Sequence, residues 1–504
     1  MTSNTPEATA PSGDAAAGDS AFTLKGFAWG VFEWARNPYY NVIVIYVFAP
    51  YFAEAVVGGG PQGQAVVADT IKIAGLIMAV FAPLLGILVD KGGGKKGLIF
   101  VVLAGLALCS FLLGGIRPGV AGAVPLGMAL LIIGYCCYTV SELLHNAILP
   151  AAGEPKALPM ISGLGLFMGN TAGVLMLVML LLIGMFTSWV DAIPGGIGAI
   201  SGPVVGIWLG VFIIPFFLLM PDRKGSLGSW RAATVQTFSP RNFDSRSQIP
   251  VVSVLMSLII NPVLFVYRKF VEFPNVMRFL LARMIYADGL AVLLTLGGVY
   301  VAGVLGWSAY EVIIYGITGS LIGALGGFVG GALDGRLGPK RALMVELTGI
   351  IVILFIQLSV TRDALFFGLV PAGHDVWGGF GTGLFTSLAD VFYYLMIVPA
   401  AIAIVACITS SRYMLVHISP PDRIGEFFGF YAMAGSVTVW LGPLIVQQMT
   451  LAFDDQRLGF SGIGLLFLAG LILLASVKAD RTPEHLKAGG SVPAEGTRGD
   501  GAAK

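Results

Sequence analysis

Three apolar stretches of the chain carry ionisable residues that a bilayer tolerates only for a reason. The first holds Glu33, Arg36 and Asn37, the second Glu142, His145 and Asn146, and the third Arg283, Tyr286 and Asp288. A charge at the centre of a membrane helix costs at least about 2.5 to 3.5 kcal/mol on insertion scales. Glu33 and Arg36 are three residues apart on one helical face, so an internal ion pair is one use for them. The other is that Arg36 meets an anionic solute while Glu33 exchanges a proton. Glu142 has only His145 as a basic neighbour on its own helix. A carboxyl group in low dielectric without a strong cation is suited to loading and releasing a proton near neutral pH; a plain interhelical hydrogen bond is the alternative. Asp288, near the middle of its stretch, is the carboxylate most costly to leave unpaired. It is the first candidate for a coupling residue, with a structural pair to Arg36 or Arg283 as the competing use. Glu346 and Asp390, nearer the ends of their stretches, read as snorkelling or interfacial groups.

None of these groups has catalytic spacing. The chain contains no H-E-x-x-H and no Gly-x-Ser-x-Gly, and its four histidines are scattered. The glycines at 92–94 are not a phosphate loop, because Val89 stands where the first glycine is required and neither Ser nor Thr follows the lysine. Four cysteines, Cys109, Cys136, Cys137 and Cys407, fall inside apolar runs without metal-ligand spacing. The expectation is therefore no enzyme, no metal and no cofactor.

The elements that must hold these residues follow from composition. Of 504 residues, 56% are hydrophobic and 11% charged, against about 25% charged in an ordinary soluble domain. With a mean hydropathy of +0.87, a water-soluble enzyme is excluded. The 29 basic and 28 acidic residues leave no global field for nucleic acid. A helix needs roughly 20 apolar residues to cross the hydrocarbon, and twelve stretches qualify: 27–53, 70–89, 97–115, 123–149, 160–186, 203–220, 276–303, 310–333, 342–360, 388–416, 424–450 and 459–477. The fold class is an all-α membrane protein with about 12 transmembrane helices in two pseudo-symmetric six-helix bundles. Residues 1–22 read as a disordered tail, 23–220 as the first bundle, 221–275 as a basic linker, 276–477 as the second bundle and 478–504 as a second tail. The apolar stretch 250–266 in the linker reads as an interfacial helix. Loop lysines and arginines place both termini in the cytoplasm. The connection from Pro221 to Arg278 carries eight basic and three acidic residues, which suits anionic lipid headgroups.

A repeated loop makes the case for duplication. Asp90, Lys91, Lys95 and Lys96 follow the second stretch, and Asp334, Arg336, Lys340 and Arg341 follow the eighth, with the two Asp residues 244 positions apart. Two copies at matching positions imply a shared mechanical role. The basic pairs would anchor the surface, and each Asp could face a helix N-terminus in the other half and hold one conformation closed. Gly319, Gly323, Gly327 and Gly331 form a stripe along the eighth stretch, and Gly165, Gly169 and Gly173 along the fifth. Such faces allow close helix packing, either static or as a surface on which the bundles slide.

These residues resemble the major facilitator superfamily, and within it the UMF1 group of vacuole effluxer Atg22-like proteins. The paired Asp90 and Asp334 loops are similar to the superfamily's motif between helices two and three and its counterpart between eight and nine. Phe32-Glu33-Trp34-Ala35 resembles the group's aromatic-acid-Trp-Ala opening, and Asn146 to Pro150 its fourth-helix end. Tyr286-Ala287-Asp288-Gly289 resembles its Tyr-Asn-Asp-Gly element; Ser411-Arg412, Glu426 to Tyr431 and Gly442-Pro443-Leu444 resemble its helix ten to eleven segment. On that basis Arg412 and Glu426 join the candidate gating residues. The chain departs from the group's pattern at Arg36, Pro38, Ala287 and His145, and Arg36 favours an anionic or zwitterionic solute.

The resulting expectation is a secondary active transporter of a small polar solute, working by alternating access and coupled to a proton. Amino-acid or organic-anion movement heads the substrate classes. A cation-coupled sugar symporter and a transporter-shaped assembly or chaperone protein without turnover are the alternatives. Expected partners are a small-molecule substrate, H+ and membrane lipids, with the protein a monomer in the cell inner membrane.

Overall fold

The computed structural model describes residues 24–91, 95–154, 157–190, 192–221, 261–373, 382–420, 423–435 and 437–478. The segments read as tails, apart from Lys478, and residues 222–260 of the basic connection lie outside the described residues. Among the described residues, eleven helices are long and apolar enough to cross a membrane. Numbered as spans in chain order, the first is Leu24–Val57 and the second Gly60–Lys91. Spans 3 to 5 are Lys96–Leu112, Ala123–Ile148 and Leu158–Phe186, and span 6 is Gly196–Leu219. Spans 7 to 9 are Pro274–Val304, Ala309–Leu337 and Pro339–Leu358, span 10 is Leu388–Ile418, and span 12 is Gln456–Ala475. The stretch expected at 424–450 forms span 11 in two pieces, Ile424–Ala434 and Leu441–Phe453. Of the stretch expected as an interfacial helix, residues 250–260 lie outside the described residues, and 261–266 belong to the helix Asn261–Glu272.

Span 2 starts ten residues before its apolar run. Its polar first turns are accommodated because Gln64 is fully buried against the second half: its Nε2 donates to Thr450 Oγ1 at 2.8 Å and to the Gln456 carbonyl at 3.0 Å. Span 1 is irregular. Its α-helix Leu24–Pro38 gives way to π-helical turns at Tyr39–Tyr46 and Phe52–Val57, a form that concentrates at functional sites because the extra residue per turn re-aims side chains.

Within each half, small residues let helices close up. Gly165, Gly169 and Gly173 face Trp29, Glu33, Asn37 and Asn41 of span 1. The glycine stripe of span 8 divides: Gly319, Gly323, Gly326 and Gly330 pack on Ile397, Ala401, Ile402, Val405 and Ala406 of span 10, while Gly331 meets open space. Both stripes are thus packing faces inside a half and not sliding surfaces between halves; the period of 3.6 residues carries the contact line from 323 to 326 and 330.

Hydrogen bonds that join the halves gather at the end remote from the chain termini. Besides those of Gln64, Lys72 Nζ donates to Gln447 Oε1 at 2.8 Å and Tyr310 Oη to the Gly184 carbonyl at 3.2 Å. Gly75 of span 2 meets Val439 and Trp440 at the break in span 11.

Candidate substrate and ion-coupling site

The first half collects its charges into one knot between spans 1 and 4. Arg36 is only 3% exposed, and its Nη2 donates to both oxygens of Glu33 at 2.7 and 2.9 Å. Its Nη1 lies 3.7 Å from Glu142 Oε2 and donates to the Tyr138 carbonyl at 3.3 Å. The guanidinium sits 4.3 Å from the Tyr138 ring centroid, a cation–π contact. Tyr138 Oη donates to Asn37 Oδ1 at 3.4 Å. Glu33 and Arg36 therefore pair on their own helix, and Arg36 reaches across to a second carboxylate that sequence spacing leaves without a strong cation.

His145 is fully buried, its ring sandwiched between Trp29 at 3.9 Å and Phe32 at 4.2 Å. Its Nε2 lies 2.9 Å from the Trp29 carbonyl and its Nδ1 3.0 Å from Glu33 Oε1. A carbonyl oxygen only accepts, so Nε2 carries hydrogen. The second ring nitrogen then meets a carboxylate, and a neutral imidazole has no hydrogen left for it. The contact is favourable only if the His145–Glu33 pair holds one further proton, on the ring or on the acid. Glu142 and Asn146 of the same helix are exposed, with the Glu142 side chain at 53%.

The second half is arranged differently. Asp288 is 1% exposed and its Oδ2 has no hydrogen-bond partner. It faces Thr438 in the unwound stretch between the pieces of span 11. It forms no ion pair with Arg36 or Arg283 among the described residues, so both structural pairings expected for it are absent. Arg283 is committed elsewhere: Nη1 donates to the Tyr431 carbonyl at 2.9 Å and the guanidinium lies 3.4 Å from that residue's ring centroid. Tyr286 Oη shares a 2.8 Å hydrogen bond with Ser411 Oγ, which Tyr431 Oη also reaches at 3.2 Å.

The repeated loops hold helix ends within their own half. Lys95 Nζ donates to the Ala147 carbonyl at the end of span 4 and Lys96 Nζ to Phe217 at the end of span 6, at 3.0 and 2.9 Å. In the second half Lys340 Nζ donates to the Ala475 carbonyl at the end of span 12, at 2.9 Å. Lys96 and Lys340 thus do the same thing at equivalent places, placing a cation on a helix C-terminus. Asp334 is buried against Ser410 of span 10 in its own half, a correction to the expected contact with the other half. The cause is span 8's glycine face, which brings span 10 close enough to cover the carboxyl group. The side chains of Asp90 and Lys91 lie outside the described residues. Arg336, Arg341 and Arg412 are exposed, and Glu426 accepts from Lys269 Nζ at 2.7 Å.

Two acids are misplaced by position along the helix alone. Glu346 is 3% exposed and accepts from Ser410 Oγ at 2.9 Å, so it does not snorkel. Asp390 is buried as the third residue of its helix, where it forms a capping box with Ser387 and accepts from Trp307 Nε1 at 2.8 Å. Tyr138, Thr438 and Ser410 are polar partners that no spacing rule singles out. A small hollow lined by residues such as Tyr39, Thr70 and Tyr135 touches none of the charged groups. Among the described residues no His, Cys, Asp and Glu cluster could hold a metal ion.

A family model described as vacuole effluxer Atg22 like matches residues 153–487, about two thirds of the chain. The chain belongs to this family, and through it to the major facilitator superfamily. An uncharacterized MFS-type transporter, YxiO of Bacillus subtilis (strain 168), is 23% identical over 480 residues, covering 92% of this chain and 97% of that one. Among solved structures, the nucleoside transporter NupG superposes with a TM-score of 0.56 at 12% identity, over 90% of this chain and 99% of that one. The xylose transporter XylE from E. coli, in a partially occluded inward open conformation, does so at 0.55 and 12%, over 90% and 99%. At such identities the likeness is one of fold: two six-helix bundles. The Phe32 to Ala35 and Asn146 to Pro150 elements fall outside the matched family residues, whereas Tyr286 to Gly289 and the span 10 to 11 segments fall within them. The protein is a multi-pass MFS-type membrane transporter, as its curated relative and structural neighbours are.

Proposed function

We propose that this protein is a secondary active transporter that moves a small polar solute of the amino-acid or organic-anion class by alternating access, coupled to protons, in the cell inner membrane with both termini cytoplasmic. The observation that carries the reading is Asp288: a buried carboxyl group with an unpartnered oxygen, beside an unwound stretch of span 11 that also touches span 2 of the other half. Broken helices at the contact between repeats free backbone groups to bind substrate and ions. A proton arriving at Asp288 removes the cost of an isolated buried charge, so occupancy of this one group biases how the halves close. The pair His145–Glu33 supplies a second place for a proton, and Arg36 beside it supplies a cation for an anionic group.

Cross-links between the halves at one end, by Gln64, Lys72 and Tyr310, support a conformation closed away from the termini and accessible from their side. The substrate is then released or taken up on that side, and the same contacts must break for the opposite state. The lysines and arginines of the loops on the terminal side support the cytoplasmic assignment.

Purified protein in liposomes, screened against amino acids, organic acids and sugars under imposed pH, sodium or potential gradients, tests the proposal. The expected result is uptake that follows the proton gradient and falls to background in Asp288→Asn with the protein still monodisperse. Sodium-driven sugar uptake selects the symporter alternative. Normal pH-driven transport by Asp288→Asn, Glu33→Gln and Glu142→Gln overturns the proton assignment.

A further inference from the structure

Hydrogen bonds are not all that joins the halves. Glycines outside the two packing stripes also lie on contacts between them. Gly75 of span 2 meets the Trp440 backbone in span 11, and Gly184 of span 5 meets the Tyr310 ring of span 8. Gly298 of span 7 meets the Ile45 carbonyl of span 1, and Gly316 of span 8 meets the Tyr46 ring of span 1.

The last two contacts form a pair. Ile45 and Tyr46 are consecutive residues of the π-helical turns Tyr39–Tyr46, and Ile45 is buried. Their glycine partners are buried too and lie at matching depth, Gly298 six residues before the end of span 7 and Gly316 seven after the start of span 8. At 1.5 Å per residue those positions are about 9 and 10 Å from the helix ends. One bulge of span 1 is therefore seated in two notches of the other half.

Both notches depend on a missing side chain. A Cβ on Gly298 would overlap the Ile45 carbonyl oxygen and come within 3.0 Å of Pro50 Cγ, and a Cβ on Gly316 would lie 2.7 Å from Tyr46 Cγ. Neither obstacle is the tip of a flexible side chain, so neither yields without a shift of backbone. With hydrogen in that place the Gly298 Cα–H points at the carbonyl, a weak bond of the kind found where helices approach closely. The neighbouring Gly297 meets nothing within 4 Å, so the requirement belongs to one position and not to the helix.

We propose that the π-helical bulge of span 1, seated on Gly298 and Gly316, is the contact that selects the conformation closed at the end remote from the termini. In the opposite conformation the halves part there, and a methyl group at either glycine meets no obstacle. The bulge begins three residues after Arg36, so one helix carries both the charged knot and the seat, and a solute or proton that displaces the knot along span 1 acts on the seat. The second conformation, and this link to the knot, rest on the alternating-access reading above.

Spin labels at Val120 and Leu369, exposed on loops of the two halves at that end, read the balance in the full-length protein in liposomes, in a background without the native cysteines. Gly298→Ala should move it about tenfold or more toward the longer distance, Gly316→Ala in the same direction, and Gly297→Ala not at all. Gly326→Ala meets the Ile402 carbonyl at 2.6 Å inside the second half; it should lower stability without moving the distance, because both conformations keep that contact. Adding Tyr46→Ala to Gly316→Ala removes the obstacle and should restore the wild-type balance, which a folding defect would not allow. Wild-type distances in a monodisperse Gly298→Ala, or an equal shift in Gly297→Ala, overturn the proposal. If the wild type transports and Gly298→Ala leaves the distances unchanged, the seat fails and the transporter reading stands; if nothing is transported and the shift is still seen, the seat stands and that reading fails.

Discussion

The two halves share a fold but treat buried charge in opposite ways. In the first half Arg36 lies against Glu33 and Glu142, and Glu33 against His145, so that cations and acids are gathered within 4 Å of one another. In the second half Asp288, Asp334 and Glu346 are buried without an ion pair among the described residues, and the nearby Arg283 is turned onto Tyr431. A compensated knot is held by its partners and is disrupted by removing any one of them. An uncompensated acid is relieved by a proton. The two halves thus share lysines that cap equivalent helix ends but differ in how their interiors compensate buried charge.

The largest expected effect separates stability from transport. Glu33→Gln leaves Arg36 with one carboxylate at 3.7 Å and should cost about 3 to 5 kcal/mol of stability, as for other broken buried pairs. Asp288→Asn should leave stability unchanged or raised. Chemical denaturation in detergent, read alongside transport, checks both; equal losses in the two variants would erase the contrast.

Next, Gln64→Leu removes two hydrogen bonds between the halves at the closed end. At about 1 kcal/mol net for each bond, the balance of conformations should move about thirtyfold toward the state opened at that end. Distances between spin labels on span 2 and span 11 measure the shift, and no change would assign closure to packing alone.

Lys96→Ala and Lys340→Ala should each cost about 0.3 to 1 kcal/mol, the value of a cation at a helix C-terminus, and by similar amounts. Unequal costs would weaken the equivalence of the two loops.

The smallest effect concerns the interfacial helix, tied to span 11 by Glu272 with Arg423 and by Lys269 with Glu426, both at 2.7 Å. Desolvation pushes the Glu272 carboxyl up, but the hydrogen bonds and charges of Arg423 and Lys269 together outweigh it and hold the group below the usual carboxylate range. A lowered value in the folded state means the tie is intact above the ordinary carboxylate range and fades only as pH falls through the lowered value. Hydrogen exchange over 261–272 should rise in Arg423→Ala at neutral pH, and in the wild type only in strong acid.

The approximate number of spans and the Glu33–Arg36 pair were legible because each depends on residues close in sequence: apolar runs set by bilayer thickness, and a spacing of three on one helix. The break in span 11 was hidden, since Ala434 to Leu441 is as apolar as the helices around it. Glu346 and Asp390 were misread because depth along a helix says nothing about which neighbour covers it. His145 joins Glu33 from 112 positions away, and Ser410 joins Glu346 from 64.

By itself the sequence determined that this chain enters a membrane as two similar sets of helices, because hydrocarbon leaves a polypeptide of this composition no other solution. The tertiary structure alone decided which buried charges are neutralised and which wait for a proton. That outcome depends on how each helix is rotated about its axis and on which glycine faces admit a neighbour, and both are properties of contacts between helices.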